Sequence, residues 1–262
     1  MGRCRSKLRW RDLSPVQEKT NPSRAGVPPS GPIPQPAAGD PRPAPTSLRP
    51  TAPWPLALIV VTDSGLAGGS AQAEHAALQA LAAGAPAIQL RDKVRSTAEL
   101  LPVARRLARA CREHGALFFV NDRVDLALVA GAHGVHVGPE DLPVAAVRSM
   151  VPPDFLVGYS TDEPAVALQA REAGASYIGC GTLWTTTTKS DAGAAIGPDG
   201  LARVAKAVAP LPVVGIGGVR ADRIEQLGGT GCAGVAVVGA VMGAHDPHTA
   251  TRTLLKALET HL

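Results

Sequence analysis

Several short stretches of this 262-residue chain collect side chains suited to a divalent cation and a phosphorylated ligand. Gln89, Arg91 and Lys93 occupy alternate positions, and on an extended segment alternate residues share one side, so two cations point the same way. Asn121 and Asp122 close a second apolar run, Glu140 and Asp141 follow a third, and Ser160 ends a fourth. Thr185, Thr186, Thr187, Thr188 and Lys189 form a polar loop segment, Gly215, Gly217 and Gly218 close the run VVGIGG, and Gly239 follows GVAVV. Taken singly, each has a plainer reading: Asp122 or Asp141 as a helix cap, Arg91 and Lys93 as a solvated rim, the glycines as a turn, the threonines as loop filler. Together they describe something else. Carboxylates from separate segments beside fixed cations repel one another within each sign unless a divalent ion and a polyanion fill the space between. The set describes a site for Mg2+ and pyrophosphate, with glycine amides available for a further phosphate.

The elements that must position these residues alternate along the chain. Apolar runs at 57–63, 86–92, 116–122, 134–138, 155–160, 176–181, 212–218 and 234–240 read as strands, with Ala-rich amphipathic stretches between them. The runs are apolar almost throughout, as strands of a parallel sheet covered on both faces require. Ser96 and Glu99 form a capping box, Gly84, Gly115 and Gly174 stand where helices should stop, and Pro102 should kink the helix that contains it. The first strand lacks a GxGxxG turn, which disfavours a doubly wound sheet. An α/β (β/α)8 TIM barrel is expected, with chemistry at the carboxyl ends of its strands. The stretch from Gly181 to Pro198, a loop of about 17 residues, is long for such a barrel and suits a lid over phosphates.

Composition narrows the function classes. Residues 1–52 carry nine Lys or Arg against three acids and hold 11 of the 24 prolines, so this N-terminal extension is expected to be disordered, with the catalytic barrel over 53–262. The net charge of +4 therefore belongs to the tail, and the rest of the chain is slightly acidic, which argues against nucleic acid as a partner. The tail reads as a dispensable extension, since its prolines preclude an amphipathic transit helix and no apolar run before Leu56 could serve as a secretory signal. No apolar run is long enough to span a membrane. Cys4, Cys111, Cys180 and Cys232 show no CxxC pairing, so a reducing, cytoplasmic setting is expected.

The segments IVVTD, QLRDK, NDRVDLALVAGAHGVHVGPEDLP, TTTTK, VVGIGGV and GVAVVGAV resemble the thiamine-phosphate synthase family over residues 56–260. The resemblance implies condensation of a hydroxymethylpyrimidine diphosphate with a thiazole phosphate, with loss of pyrophosphate from the pyrimidine methylene and capture of the resulting cation by the thiazole nitrogen. It further implies that Gln89, Leu90, Arg91, Asp92 and Lys93, with Asn121, Ser160 and Lys189, hold the pyrimidine diphosphate, and that Asp122 and Asp141 ligate Mg2+. Thr186, Thr187, Thr188, Gly217, Gly218, Val238 and Gly239 would hold the thiazole phosphate, and Arg91, Lys93 and Lys189 would carry the catalytic charge. Three departures stand out. Pro139 replaces the usual Gln of GQED and is expected to displace the second metal ligand slightly. Gly239 replaces a serine, and Thr185 and Thr187 stand where proline is common. Rival readings are a thiazole tautomerase with His136 or His133 as acid-base group, and a non-catalytic phosphate sensor. His133 and His136 otherwise read as packing or rim residues.

Overall fold

The computed structural model describes residues 55–186 and 194–262. The N-terminal extension, and with it the expectation of disorder there, lies outside the described residues. Eight parallel strands close into a barrel in sequence order, β1 (Leu58–Val61), β2 (Ala87–Leu90), β3 (Leu117–Asn121), β4 (Gly134–Val137), β5 (Leu156–Ser160), β6 (Tyr177–Cys180), β7 (Val213–Ile216) and β8 (Gly234–Val237), with β8 pairing back onto β1. The expected (β/α)8 architecture is therefore present. The connecting helices are α1 (Ser70–Ala82), α2 (Thr97–Glu113), α3 (Val124–Ala130), α4 (Val144–Met150), α5 (Pro164–Glu172) and α6 (Gly197–Val208). A 3-10 turn (Ala221–Leu227) links β7 to β8, and after β8 come a one-turn helix α7 (Gly239–Met242) and the closing helix α8 (Pro247–His261).

The period-2 pattern splits each strand between two cores. Ile59, Val61, Phe119, Tyr177, Val214 and Ala236 fill the barrel interior, while their neighbours Val60, Phe118, Val120, Ile178 and Val235 face the helices. Helix α2 shows the matching helical period, burying Leu100, Val103, Ala104, Leu107, Ala108 and Cys111. Each large side chain so buried contributes about 1.5 to 3 kcal/mol. Its start is the expected capping box: Ser96 Oγ accepts from Glu99 N–H and the Glu99 carboxylate accepts from Ser96 N–H at 2.9 Å. Pro102 lies inside this helix without ending it; Ala98, whose carbonyl loses its partner, is exposed, so water can take the donor's place. Gly84, Gly115 and Gly174 adopt the positive φ that terminates helices. No helix among the described residues is long and apolar enough to cross a membrane.

Candidate active site at the carboxyl ends of the strands

Strand β1 ends at Val61, and the two residues that follow reach across to β2. Thr62 Oγ1 accepts from Arg91 N–H (2.9 Å) while its hydroxyl donates to the Arg91 carbonyl (3.0 Å), and Arg91 Nη1 donates to Asp63 Oδ2 (2.8 Å). The guanidinium is thus held at the mouth by a carboxylate from the neighbouring strand end. Sequence reasoning missed Thr62 and Asp63, although both close an apolar run like the residues it singled out.

The QLRDK segment is not uniform. Gln89 is buried at inward parity, but Leu90 packs outward into the helix-facing core, so its side chain cannot contact a ligand in the mouth. Asp92 is likewise committed elsewhere: its carboxylate accepts from the backbone N–H groups of Val94 and Arg95 and from Arg95 Nε, each at 2.9 Å, which closes the β2–α2 loop and holds the carboxyl below the usual range despite burial. These two expectations are corrected for the side chains. Lys93 is exposed beyond the strand end.

Asp122 follows β3 with φ +63, making it the one non-glycine in the left-handed region among the described residues. Asp tolerates this conformation better than most side chains, and such strain gathers where a group must be aimed. Its N–H donates to the His136 carbonyl (2.8 Å), anchoring the turn to β4. Asp141 is fixed by accepting from Gly138 N–H (2.7 Å). Its carboxyl lies beside that of Asp122, so Pro139 leaves the two acids together. Burial, the hydrogen bond to Asp141 and Asp141's charge push the Asp122 carboxyl up to about 6, against the pull of Lys93 and Arg91. Neither acid caps a helix; α3 and α4 start from Arg123 and Pro143 without a side-chain cap.

That pair fits a divalent cation on its own chemistry. Two carboxylates from separate strand ends stand side by side here, and a hard cation favours oxygen ligands of this kind. Among the described residues no group of three or more His, Cys, Asp and Glu is placed to hold a metal, so the rest of a cation's shell would come from ligand oxygens or water.

Deeper in the barrel lies a polar chain that sequence reasoning left in pieces. The Gln89 side chain stands beside Tyr177, the Tyr177 hydroxyl lies 2.9 Å from His136 Nδ1, and His136 Nε2 lies 2.7 Å from Ser160 Oγ. Burial pushes the His136 imidazole down to about 4 and the Tyr177 phenol up. Both His136 nitrogens are engaged. His133 sits at the other end of β4, where its Nδ1 accepts from Phe118 N–H (2.9 Å).

Across the mouth, β7 and β8 offer main chain. Gly217 (φ +97) and Gly218 (φ +66) leave β7, and Val238 and Gly239 open α7 at the matching end of the paired β8. The β6–α6 loop is fastened to this edge: Leu183 N–H donates to Ile216 O (2.9 Å) and Trp184 N–H to Gly217 O (3.0 Å). Arg223 Nη1 donates to Gly218 O (2.7 Å), with its guanidinium 5.4 Å from the centre of the Trp184 ring. Thr186 is the last described residue of this stem; Thr187, Thr188 and Lys189 lie outside the described residues. A cavity of about 740 Å³ at the opposite end of the barrel, lined by Ala57, Pro210, Leu211, Leu255 and Leu258 among others, gathers none of this chemistry.

Comparison with known proteins points the same way. A model of the family "Thiamine monophosphate synthase" matches residues 58–241. A thiamine-phosphate synthase from Moorella thermoacetica is 41% identical over 201 residues, covering 77% of this chain and 94% of that protein. The bifunctional thiamine biosynthesis protein ThiM/ThiE of Symbiobacterium thermophilum is 51% identical over 175 residues, 67% of this chain but 36% of that longer protein. Among solved structures, a thiamine phosphate pyrophosphorylase from Pyrococcus furiosus superposes with TM-score 0.72 at 39% identity, covering 79% of this chain and 97% of the other. The chain belongs to the thiamine monophosphate synthase family of transferases.

Proposed function

We propose that this chain joins 4-amino-2-methyl-5-hydroxymethylpyrimidine diphosphate to 4-methyl-5-hydroxyethylthiazole phosphate, with Asp122 and Asp141 holding Mg2+. The observation that carries the reading is the pairing of Asp122 with Asp141 at the same mouth as Arg91 and Lys93. Mg2+ there would neutralise charge on the departing diphosphate. Arg91, held by Asp63, and Lys93 bind and orient that diphosphate, and Lys189 of the long loop adds a third cation. The C–O bond to the pyrimidine methylene breaks, the diphosphate leaves with the electron pair, and the thiazole nitrogen forms the new C–N bond. No protein nucleophile takes part. The low-dielectric, preoriented charges supply the rate enhancement. Gly217, Gly218, Val238 and Gly239, with the threonines of the loop, hold the thiazole phosphate through main-chain and hydroxyl donors.

A tautomerase reading is disfavoured by His136, whose ring is already committed at both nitrogens and pushed toward the neutral form. The barrel cysteines Cys111, Cys180 and Cys232 are free thiols, in keeping with a cytoplasmic setting. The test is pyrophosphate release from the two phosphorylated halves with and without Mg2+. A synthase releases it only with the metal and both halves present; a tautomerase or a sensor releases none.

A further inference from the structure

The amino-terminal end of the barrel carries an apolar groove that the chemistry at the mouth does not use. Its walls come from the α6–β7 loop, the loop leading into β8, and α8, with Leu211, Cys232, Leu255 and Leu258 lining it beside Ala57 and Gly234. At about 740 Å³ it falls within the roughly 300 to 1,000 Å³ of ligand pockets. The charged residues that line it, Lys206 and Glu259, are both exposed.

Two of the lining residues tell what lies next to the groove. Ala57 leads into β1, and its carbonyl accepts from Val235 N–H of β8 (2.9 Å). A Cβ on Gly234 would overlap the Leu56 carbonyl and lie 2.6 Å from Ala57 Cα, so a bare glycine lets the lead-in to β1 lie against β8. The chain therefore enters the barrel along the groove wall, with Leu56 packed into the interior core. Trp54 is three residues before Ala57, which keeps its Cα within about 11 Å of Ala57 Cα.

The sequence of this approach suits an apolar groove. Residues 50–56 carry no charge, whereas charges are spread through residues 1–49, and Trp54 is the one aromatic side chain of the approach. Pro50, Pro53 and Pro55 each fix one φ, and a residue before proline is held to extended backbone, so little conformational freedom is left to lose on docking. Attachment at Pro55 gives the segment a roughly millimolar effective concentration beside the groove. A second copy is a poorer occupant. A stable interface buries about 800 Å² per partner, and among the large apolar residues exposed in the described chain Leu262 alone lines this groove.

We propose that residues 50–54 dock along this groove, with the Trp54 indole seated against Leu211, Leu255 and Leu258. The stretch of the N-terminal extension next to the barrel is then a cover for its amino-terminal end and belongs to the folded domain. The inference is independent of the phosphate chemistry at the mouth.

The test has two arms. Trp10→Phe with Trp184→Phe leaves Trp54 as the one tryptophan of the full chain. Its emission is expected to be blue-shifted and shielded from acrylamide, moving red and becoming quenchable in denaturant. Emission that denaturant leaves unchanged overturns the docking, and shielding that is lost on dilution overturns it in favour of a contact between copies. The second arm keeps Trp10 and Trp184. Cys232 is a free, partly buried thiol on the groove wall, and Cys111 is a fully buried one in α2. Site-resolved alkylation is expected to label Cys232 about tenfold faster in Trp54→Ser than in the parent, as for a segment docked nine-tenths of the time, with Cys111 unchanged. Equal Cys232 rates refute the contact, and a matching rise at Cys111 reads as general loosening and counts against a local cover.

Discussion

On the proposed reading, the two halves of the barrel mouth solve the same problem, holding a phosphate, with different materials. From β1 to β5 the work falls to side chains: Asp63 braces Arg91, Asp122 meets Asp141, and the His136 imidazole orients Ser160. From β7 to β8 it falls to main chain, with glycines at positive φ and the first amides of a four-residue helix. The difference follows from what each half must do. A departing diphosphate develops charge that strong, preoriented countercharges offset best, whereas a phosphate that merely binds is satisfied by fixed N–H dipoles. The first half is therefore sensitive to any change of residue type, and the second chiefly to changes that add bulk or strain.

Substitutions can break this contrast. The largest effect is expected in the charged half: Asp122→Asn, which tolerates the same backbone, and Lys189→Ala should each slow pyrophosphate release by roughly 10² to 10³ with the melting temperature preserved. Near-normal rates in either would overturn the assignment. In the main-chain half, Gly217→Ala places a Cβ 2.8 Å from Thr182 Cα at φ +97. That strain is expected to cost about 1 to 3 kcal/mol, read as a lower melting temperature, together with a raised KM for the thiazole phosphate alone. Arg223→Ala, which releases the Gly218 carbonyl and the Trp184 ring, should raise the same KM by a few fold with little effect on the pyrimidine side.

The charged half can also be sharpened by pH. The Asp122 carboxyl is pushed up from 3.8 to about 6. Its protonated form is favoured in the fold, so in metal-free protein this stabilisation is complete below about pH 3.8 and is lost as pH rises through about 6. On the proposed reading Mg2+ competes with a proton for the Asp122 carboxylate, so the rise in melting temperature on adding Mg2+ should be small at pH 5 and larger at pH 7.5. A pH-independent rise would place the metal elsewhere. The smallest effect belongs to Val238→Ala, because that position is expected to act through its amide: kinetics should be near those of the parent.

Much of this was legible in the sequence because strands and chemistry share a signature. All eight apolar runs became strands, and three of them ran past the strand into Thr62 and Asp63, Arg91 and Asp122, which leave the ladder at the mouth. The misreadings have physical causes. Leu90 and Asp92 sit among ligand candidates in sequence, but strand alternation turns Leu90 outward and backbone N–H groups claim Asp92. Tyr177 opens β6 like any apolar residue, and nothing local shows that it meets His136, 41 positions away. The ion pair of Asp63 with Arg91, 28 positions apart, likewise depends on closure of the sheet. A polar ring at inward parity facing glycines on adjacent strands is the signal that would have exposed the interior network.

The left-handed backbone at Asp122 constrains how this protein can be redesigned. In a saturation library at that position the folded survivors should be dominated by Asn and Gly, because β-branched and longer residues pay for the turn without an aimed carboxylate to compensate. Lengthening the acid to Glu is accordingly disfavoured at this site, and on the proposed reading position 141 is the better place to retune the ion.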